Sequence, residues 1–404
     1  MTRAVYVIDA VRTPIGKYGG SLARMRPDDL AAHVVRGLVE RNPASAECID
    51  QVVFGDTNQA GEDNRNVARM AALIAGLSYE VAAVTVNRLC GSGLEAVNDA
   101  ARMIALEEAN VAIAGGVESM SRAPWVLGKA EQAYCRTVPE LWDTTLGWRF
   151  PNPVIEQRCG LASLGMTAEN VAKRHGISRA DQDEFALSSH RRAIAAWQDG
   201  AFDEEVLAVE APERRRADDA PVLVTRDESP RADTDLDRLS ALRPAFLEDG
   251  TVTAGNSSPL NDGAAALLLA ADNVVRDLDL KPLAMWGGST TVGVDPNYMG
   301  EGPIPAVRKL LSQKGLRVPN LDLIELNEAF AAQVLACVRG LELDPERVNV
   351  RGGAIALGHP VGASGARIAT TLVHTLHTQP KAQLGLATLC IGVGQGIATL
   401  FEKA

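Results

Sequence analysis

Asn87-Arg88-Leu89-Cys90-Gly91-Ser92-Gly93-Leu94-Glu95-Ala96-Val97 reads as the end of a strand, a cysteine, and then a helix that begins on small residues. Upstream, Ala83-Val84-Thr85-Val86 is short, apolar and β-branched, which suits a buried strand. Downstream, Leu94, Val97, Ala101, Ile104 and Ala105 recur at helical spacing. A cysteine at such a junction sits among unpaired helix N–H groups at the positive end of the dipole, and both favour thiolate. Gly91 and Gly93 clear side chains from around the sulfur, so a substrate carbonyl can approach closely. On this window alone Cys90 stays open between a nucleophile and the small buried hydrophobe that most free cysteines are, because a lone cysteine needs a base from elsewhere.

Working outward, Val111-Ala112-Ile113-Ala114-Gly115-Gly116 returns as a short buried strand, which completes a strand, helix, strand unit and points to an α/β protein with a largely parallel sheet. Before it come a strand at Ala4 to Ala10, a helix from about Asp28 to Glu40, a strand at Gln51 to Gly55 and a helix at Asn66 to Ile74. From Ser121 to about Phe246 the character changes: the segment holds all but one of the tryptophans, many prolines and the charged run Glu213 to Asp219. Helices are expected there at Thr167 to His175 and Arg179 to Asp199, the second opened by Ser178 with Asp181 as an acidic capping box. So long a departure from the strand pattern reads as an excursion that serves a binding site or a subunit contact. The sheet pattern resumes at Thr251 to Asn256 and Asp262 to Ala271. A second half then repeats the layout of the first: strand at Leu321 to Leu326, helix at Glu328 to Gly340, helix from about Gly362, and paired strands at Gln383 to Cys390 and Gly396 to Glu402.

A chain of 404 residues is too long for one ordinary core, so a duplicated unit or several domains are expected. Its longest apolar run, Ala264 to Ala271, is far short of a membrane span. The N-terminus reads as a first strand, the C-terminus carries no peroxisomal address, and the six cysteines contain no CxxC pair, which together predict a reduced, cytoplasmic protein without a structural zinc site. A net charge of -11 disfavours nucleic acid as a partner but leaves room for a small anionic ligand at a local cluster.

Three loops of the second half end strands or open helices with reactive groups: Asn327-Glu328-Ala329-Phe330, Gly358-His359-Pro360 and Cys390-Ile391-Gly392. Singly each has a plain reading: Asn327 as a helix N-cap, His359 as a turn histidine, Cys390 as strand core. Together they matter more. An imidazole presented between glycine and proline would complete a nucleophile and base pair with Cys90. His374 and His377 read as solvated positions on a late amphipathic helix, and His33, His175 and His190 belong to helices away from glycine turns. A second cysteine has no task in a cysteine hydrolase, whereas chemistry that moves a proton at carbon and makes or breaks a carbon–carbon bond needs one more acid/base group.

In this order the windows Cys90-Gly91-Ser92, Asn327 to Phe330, Gly358-His359-Pro360 and Cys390-Ile391-Gly392 resemble the thiolase family over essentially the whole chain. Ala114 to Ser121, Thr253 to Asn256 and Asn261-Asp262-Gly263 extend the match. The resemblance implies a five-layer αβαβα fold: residues 1–120 with 247–274 as one half, 275–404 as the other, and 121–246 as an inserted loop domain. It also implies a two-step acyl transfer. His359 activates Cys90, Cys90 attacks the 3-keto carbon of a 3-oxoacyl-CoA, and acetyl-CoA leaves as Cys390 protonates its carbanion. One oxyanion site would use His359 with a water held by Asn327, the other the N–H groups of Cys90 and Gly392. CoA would be a substrate, with no metal or resident cofactor; Arg231 would lie against its adenine, Ala254, Gly255 and Ser258 along its pantetheine, and Leu164 at the acyl pocket. Family members are often homotetramers, which sets the expected assembly.

Departures from the family pattern are Pro259 for a glycine, Arg238 for a serine, Leu164 for a methionine and Arg351 for an asparagine, and all bear on substrate preference rather than chemistry. Asn58 to Asn66, Asp143 to Phe150 and Cys390 to Gly396 look most like thiolases that cleave 3-oxoadipyl-CoA to succinyl-CoA and acetyl-CoA, with acetoacetyl-CoA or a broad range of 3-oxoacyl-CoAs as the alternative. A terminal carboxylate needs a cation or a wet polar end, for which Arg149 and Arg158 are the candidates. Three other readings compete. A carrier-protein ketoacyl synthase needs a second histidine where Cys390 stands; a silent CoA-binding scaffold would lack a reactive group; a cysteine hydrolase leaves Cys390 idle.

Overall fold

The computed structural model describes residues 3–136, 138–212 and 221–404, so the charged run Glu213 to Asp219 lies outside the described residues. Its main sheet contains β1 (Val5–Arg12), β2 (Ile49–Gly55), β3 (Ala82–Val86), β4 (Val111–Ser119), β5 (Asn261–Ala271), β6 (Ala284–Gly293), β7 (Leu323–Leu326), β8 (Leu384–Ile391) and β9 (Gln395–Lys403). The spatial order is β7-β8-β9-β6-β1-β5-β4-β2-β3. Two halves meet where β1 pairs with β6 through only Tyr6 with Met285 and Val7 with Ala284.

The sheet is mixed, which corrects the largely parallel expectation. β2 is parallel to both β3 and β4, and β7 to β8, as helical crossovers require. By contrast β5 enters between β1 and β4 antiparallel to both, and β9 returns from β8 through a tight turn and runs antiparallel to β6. Neither β5 nor β9 follows a crossover helix from its sheet neighbour, so nothing imposes parallel pairing.

The helices that frame this sheet are α1 (Pro27–Arg41), α2 (Val67–Ile74), α3 (Ser92–Ala105), α4 (Leu164–His175), α5 (Arg179–Gln198), α6 (Pro303–Lys314), α7 (Ala331–Leu341) and α8 (Val361–Thr378). α1 and α2 cover the outer face of the first half, α6 the outer face of the second, and α3 and α8 lie between the halves in contact with strands of both. That is the αβαβα stack. Between the two halves of the sheet a helix has no solvated side, and α8 is buried at every position from Val361 to Leu376. His374 is therefore buried rather than solvated as its spacing suggested, with Nε2 2.7 Å from the Ala10 carbonyl oxygen. His377, next to last in the helix, is exposed as expected.

β3 also departs from expectation. It is an edge strand of the main sheet, and Val84 is 39% exposed. Apolar, β-branched sequence anticipates burial; it does not say what does the covering. Thr251 to Asn256 is a loop rather than a strand, because side chains take its backbone N–H groups: Glu169 accepts from Thr251 and Val252, and Asn256 from Thr253. β6 and α6 are elements that the sequence pattern leaves unassigned; β6, with Gly287, Gly288 and several hydroxyl residues, carries little apolar alternation.

The excursion contains a small hairpin of Trp125–Leu127 with Leu141–Asp143, a short helix Pro153–Cys159, and α4 and α5. α5 opens with the expected capping box, Ser178 accepting from Asp181 N–H and Asp181 from Ser178 N–H. Buried charge ties the excursion to the sheet: Arg12 donates to Glu205 at 2.6 Å and to Asp227 at 2.8 Å, all three side chains fully covered. Removing one partner from such a cluster strands the others, at a cost of about 3–5 kcal/mol.

Candidate active site

The sequence builds Cys90 into a sharp turn from β3 into α3. Leu89, just before it, has φ +46°, a left-handed conformation that a branched side chain adopts only when its surroundings hold it there. Two side chains hold it: Asn87 accepts from Leu89 N–H at 2.9 Å, while Ser92 Oγ accepts from Arg88 N–H at 2.8 Å and donates to the Leu89 carbonyl at 2.6 Å. Gly91 faces Ile391, whose Cδ1 would lie 2.7 Å from a β-carbon there, so glycine lets the Cys390 loop close on the turn. Gly93 serves the same end toward α8, where a β-carbon would meet Ala366 N at 2.7 Å.

Cys90 is 7% exposed and packs against Met120 and Val361, with Leu260 at the edge of the cluster. Its own N–H and that of Gly392, the two donors that the resemblance assigns to one oxyanion site, both act on the sulfur. They do not make the resting thiol acidic. Burial pushes the thiol up, those two N–H groups oppose it, and the charge of Glu118 adds to the rise. The helix terminus favours a lowered thiol, but desolvation outweighs it.

Asn327 and His359 form the second group. His359 Nδ1 lies 2.6 Å from Ser364 Oγ, whose own proton goes to the Pro360 carbonyl at 2.8 Å. Ser364 must then accept from Nδ1–H, which leaves the lone pair on Nε2. Nε2 faces Asn327 Nδ2 at 3.4 Å, and Asn327 Oδ1 is buried without a protein partner among the described residues. Burial, helped by the charge of Arg367, lowers the imidazole to about 4, so it is neutral at physiological pH and can act as a base. Asn327 is not an N-cap: α7 begins four residues later, with Phe330 at its N-cap, and so the predicted helix start at Glu328 moves to Ala331.

Cys390, next to last in β8, is 1% exposed among Leu164, Ala168, Met299, Ala329 and Phe330. Burial holds its thiol well above the ordinary range, with Cys90 and Cys337 adding to the effect. That makes it a proton carrier rather than a resting thiolate. The structure brings Asn327 to His359, and Gly392 and Cys390 to Cys90, while Val361, two residues after His359, packs on Cys90.

A cavity of about 290 Å³ opens from Cys90 and Gly392, walled by Thr57, Leu89, Thr144 to Arg149, Leu164, Asn297, Met299 and Val361. Among the described residues Arg149 is the only charged one on that wall. Arg158 is exposed and lies off it. A second cavity of about 470 Å³ holds Arg231, Ala254, Gly255, Arg238 and Pro259, and Leu260 lines it while also touching the Cys90 cluster. Ser257 faces this space in place of Ser258, whose N–H instead donates to Ala329. Leu164 belongs to the first cavity, where the acyl-pocket expectation put it, and not to the second.

Sequence reasoning missed several contributors. His190 lines the second cavity and accepts from Arg231 N–H at 3.2 Å, and Lys17 and Tyr18 reach the same wall from the opposite end of the chain. Glu328 accepts from Ser189, Asn349 and Ile355 N–H, tying the Asn327 loop to the segment that leads to His359. A carboxylate beside a catalytic amide was the one available signal for Glu328. No metal-binding group of three or more His, Cys, Asp or Glu side chains occurs among the described residues.

Family models for the thiolase N-terminal domain and the thiolase C-terminal domain match residues 5–273 and 280–403. A beta-ketoadipyl-CoA thiolase of Acinetobacter baylyi is 53% identical over 401 residues, covering 98% of this chain and 99% of the relative. A 3-oxoadipyl-CoA/3-oxo-5,6-dehydrosuberyl-CoA thiolase of Escherichia coli is 50% identical over 404 residues, 99% of this chain and 100% of the relative. Among solved structures, an acetyl-CoA acetyltransferase of Bacillus anthracis superposes with a TM-score of 0.93 at 40% identity, covering 100% of this chain and 99% of that one. Human mitochondrial 3-ketoacyl-CoA thiolase in complex with CoA gives 0.91 at 38% identity, with 100% and 98% covered.

Proposed function

The chain belongs to the thiolase family, and from that premise we propose that it cleaves 3-oxoadipyl-CoA with CoA to succinyl-CoA and acetyl-CoA through a Cys90 acyl-enzyme. His359 Nε2 takes the thiol proton as Cys90 Sγ attacks the 3-keto carbon. The carbonyl oxygen gains negative charge and is met by a pair of fixed donors. The bond to C2 then breaks, its electron pair leaves with the acetyl-CoA portion, and Cys390 delivers the proton. A second CoA thiol takes the succinyl group from Cys90, and His359 and Cys390 regain their starting protonation. The Cys90 and Gly392 N–H groups supply donors at one oxyanion site. At the other, the unclaimed Asn327 Oδ1 and the nearby His359 suit a held water. Such donors contribute on the order of 10²-fold in rate each. CoA lies in the second cavity along Arg231, Ala254 and Gly255, with Leu260 where the two spaces adjoin.

One observation carries the substrate choice: among the described residues the acyl cavity holds Arg149 and no carboxylate. Its guanidinium donates to the Thr144 carbonyl at 3.2 Å and the Asn58 carbonyl at 3.4 Å, neutral partners that orient the charge without cancelling it. Wide hydrocarbon pockets have no use for such a group. For Arg149→Ala, kcat/KM with 3-oxoadipyl-CoA is expected to fall roughly 10²-fold, the worth of a charge-assisted pair, while the neutral six-carbon 3-oxoacyl-CoA changes little. Arg158→Ala should be silent on both. Equal losses on both substrates for Arg149→Ala would remove it from carboxylate recognition, and a parent preference for acetoacetyl-CoA would favour the alternative substrate.

We also infer a cytoplasmic homotetramer. The hairpin of the excursion exposes large side chains, Trp125 at 70% and Tyr134 at 99%, and the edge of β3 exposes Val84, which are the surfaces that partner copies would cover. Sedimentation at micromolar concentration should give the mass of four chains, and a monomer would refute the assembly.

A further inference from the structure

Beside Cys90 lies a carboxylate with no step in the chemistry above. Glu118, at the end of β4, is 4% exposed, and one oxygen, Oε2, accepts from three donors. Thr57 gives its hydroxyl at 2.5 Å and its N–H at 3.3 Å, and Gly362 gives its N–H at 2.8 Å. Thr57 stands on the wall of the Cys90 cavity. Gly362 is in the first turn of α8, directly after His359-Pro360-Val361, so its position sets where the imidazole sits. The approach is close enough to demand glycine: a β-carbon on Gly362 would stand 2.9 Å from both Asp56 Cα and Glu118 Oε2.

We propose that Glu118 is a positioning residue, which fastens the wall of the acyl cavity at Thr57 to the His359-bearing turn at Gly362 through one shared oxygen. The proposal rests on the assignment of Cys90 and His359 above. A single acceptor holds the base-bearing turn and the pocket wall in one frame, whereas separate acceptors would let them drift independently. Displacing a base by about 1 Å costs on the order of 10²-fold in rate.

Glu118→Ala is expected to lower kcat for thiolysis about 10²-fold. KM for the acyl-CoA and for CoA should stay within about threefold, because the second cavity is built from other residues. Glu118→Gln keeps a carbonyl oxygen for the same donors and should hold kcat within about fivefold of the parent. Thr57→Val, which deletes one arm of the tie, should fall between them. A glutamine variant as slow as the alanine variant would overturn the proposal, as would an alanine loss carried by KM or no loss at all. Should the alanine protein fail to fold, the glutamine and valine variants decide: rescue by the first and a kcat loss in the second support the tie, and the reverse pattern sinks it. Parent and Cys90→Ala are run alongside. An active parent and a dead Cys90→Ala uphold the thiolase reading whatever Glu118 does.

Discussion

Cys90→Ala is expected to form no acyl-enzyme and to lose thiolysis by on the order of 10⁴-fold or more, because removing a nucleophile abolishes the covalent route rather than weakening it. Cys390→Ala should separate the two steps. It retains the nucleophile, the imidazole and the Gly392 N–H, so it should still be acylated on Cys90 by an acyl-CoA. It lacks the group that carries the carbon-bound proton, so exchange of the α-protons of acetyl-CoA should drop by roughly 10²–10⁴-fold, the usual worth of a placed acid/base group. The division follows from burial. Both thiols are held up, but only Cys90 has two backbone N–H groups aimed at its sulfur to support charge as it develops. Mass spectrometry of peptides after incubation with a labelled acyl-CoA, and deuterium loss from acetyl-CoA, read the two arms. A label found on Cys390 in place of Cys90 would reverse the roles.

What sequence made legible was mostly local or mostly chemical. The Ser178 and Asp181 capping box is a contact over three residues, and it stands as read. The reactive windows were equally visible, because a cysteine before a small-residue helix start and a histidine between glycine and proline are unusual wherever they fall. Properties set by what packs on an element from afar were not. α8 looked amphipathic, yet strands from both halves of the sheet bury it, and His374 with it. β3 looked buried because it is apolar, yet within one chain it is an edge. Arg149 and Arg158 are alike in sequence, nine residues apart in one segment; only the fold turns the first toward the Cys90 cavity and leaves the second outside.

The electrostatics of the site were the least legible part. A helix N-terminus is written in the sequence, but the burial that offsets it is not, and so the expected acidic thiol becomes a neutral one, and the imidazole proposed to activate it is neutral as well. Such a pair need not exist as an ion pair at rest. The proton crosses as the sulfur attacks, when the fixed N–H donors begin to share the new negative charge.

That picture fixes what His359→Ala should do. With the thiol held up by burial, the helix terminus alone leaves little thiolate at neutral pH, so alkylation of Cys90 by iodoacetamide should slow markedly and thiolysis should fall by on the order of 10²–10⁴-fold. The parent's pH dependence carries the same signature. An imidazole lowered to about 4 is in its basic form throughout the neutral range, so alkylation should show no loss near the ordinary histidine value and should fall only as acid carries the pH down through about 4. The sign is unambiguous: protonation removes the Nε2 lone pair, so the activating form is the one present above that value. An alkylation rate unchanged in His359→Ala would remove the residue from thiol activation while leaving its place beside Asn327 at the oxyanion site. An acid limb near 6.5 in the parent would mean that the imidazole is more solvated in working enzyme than its 6% exposure implies.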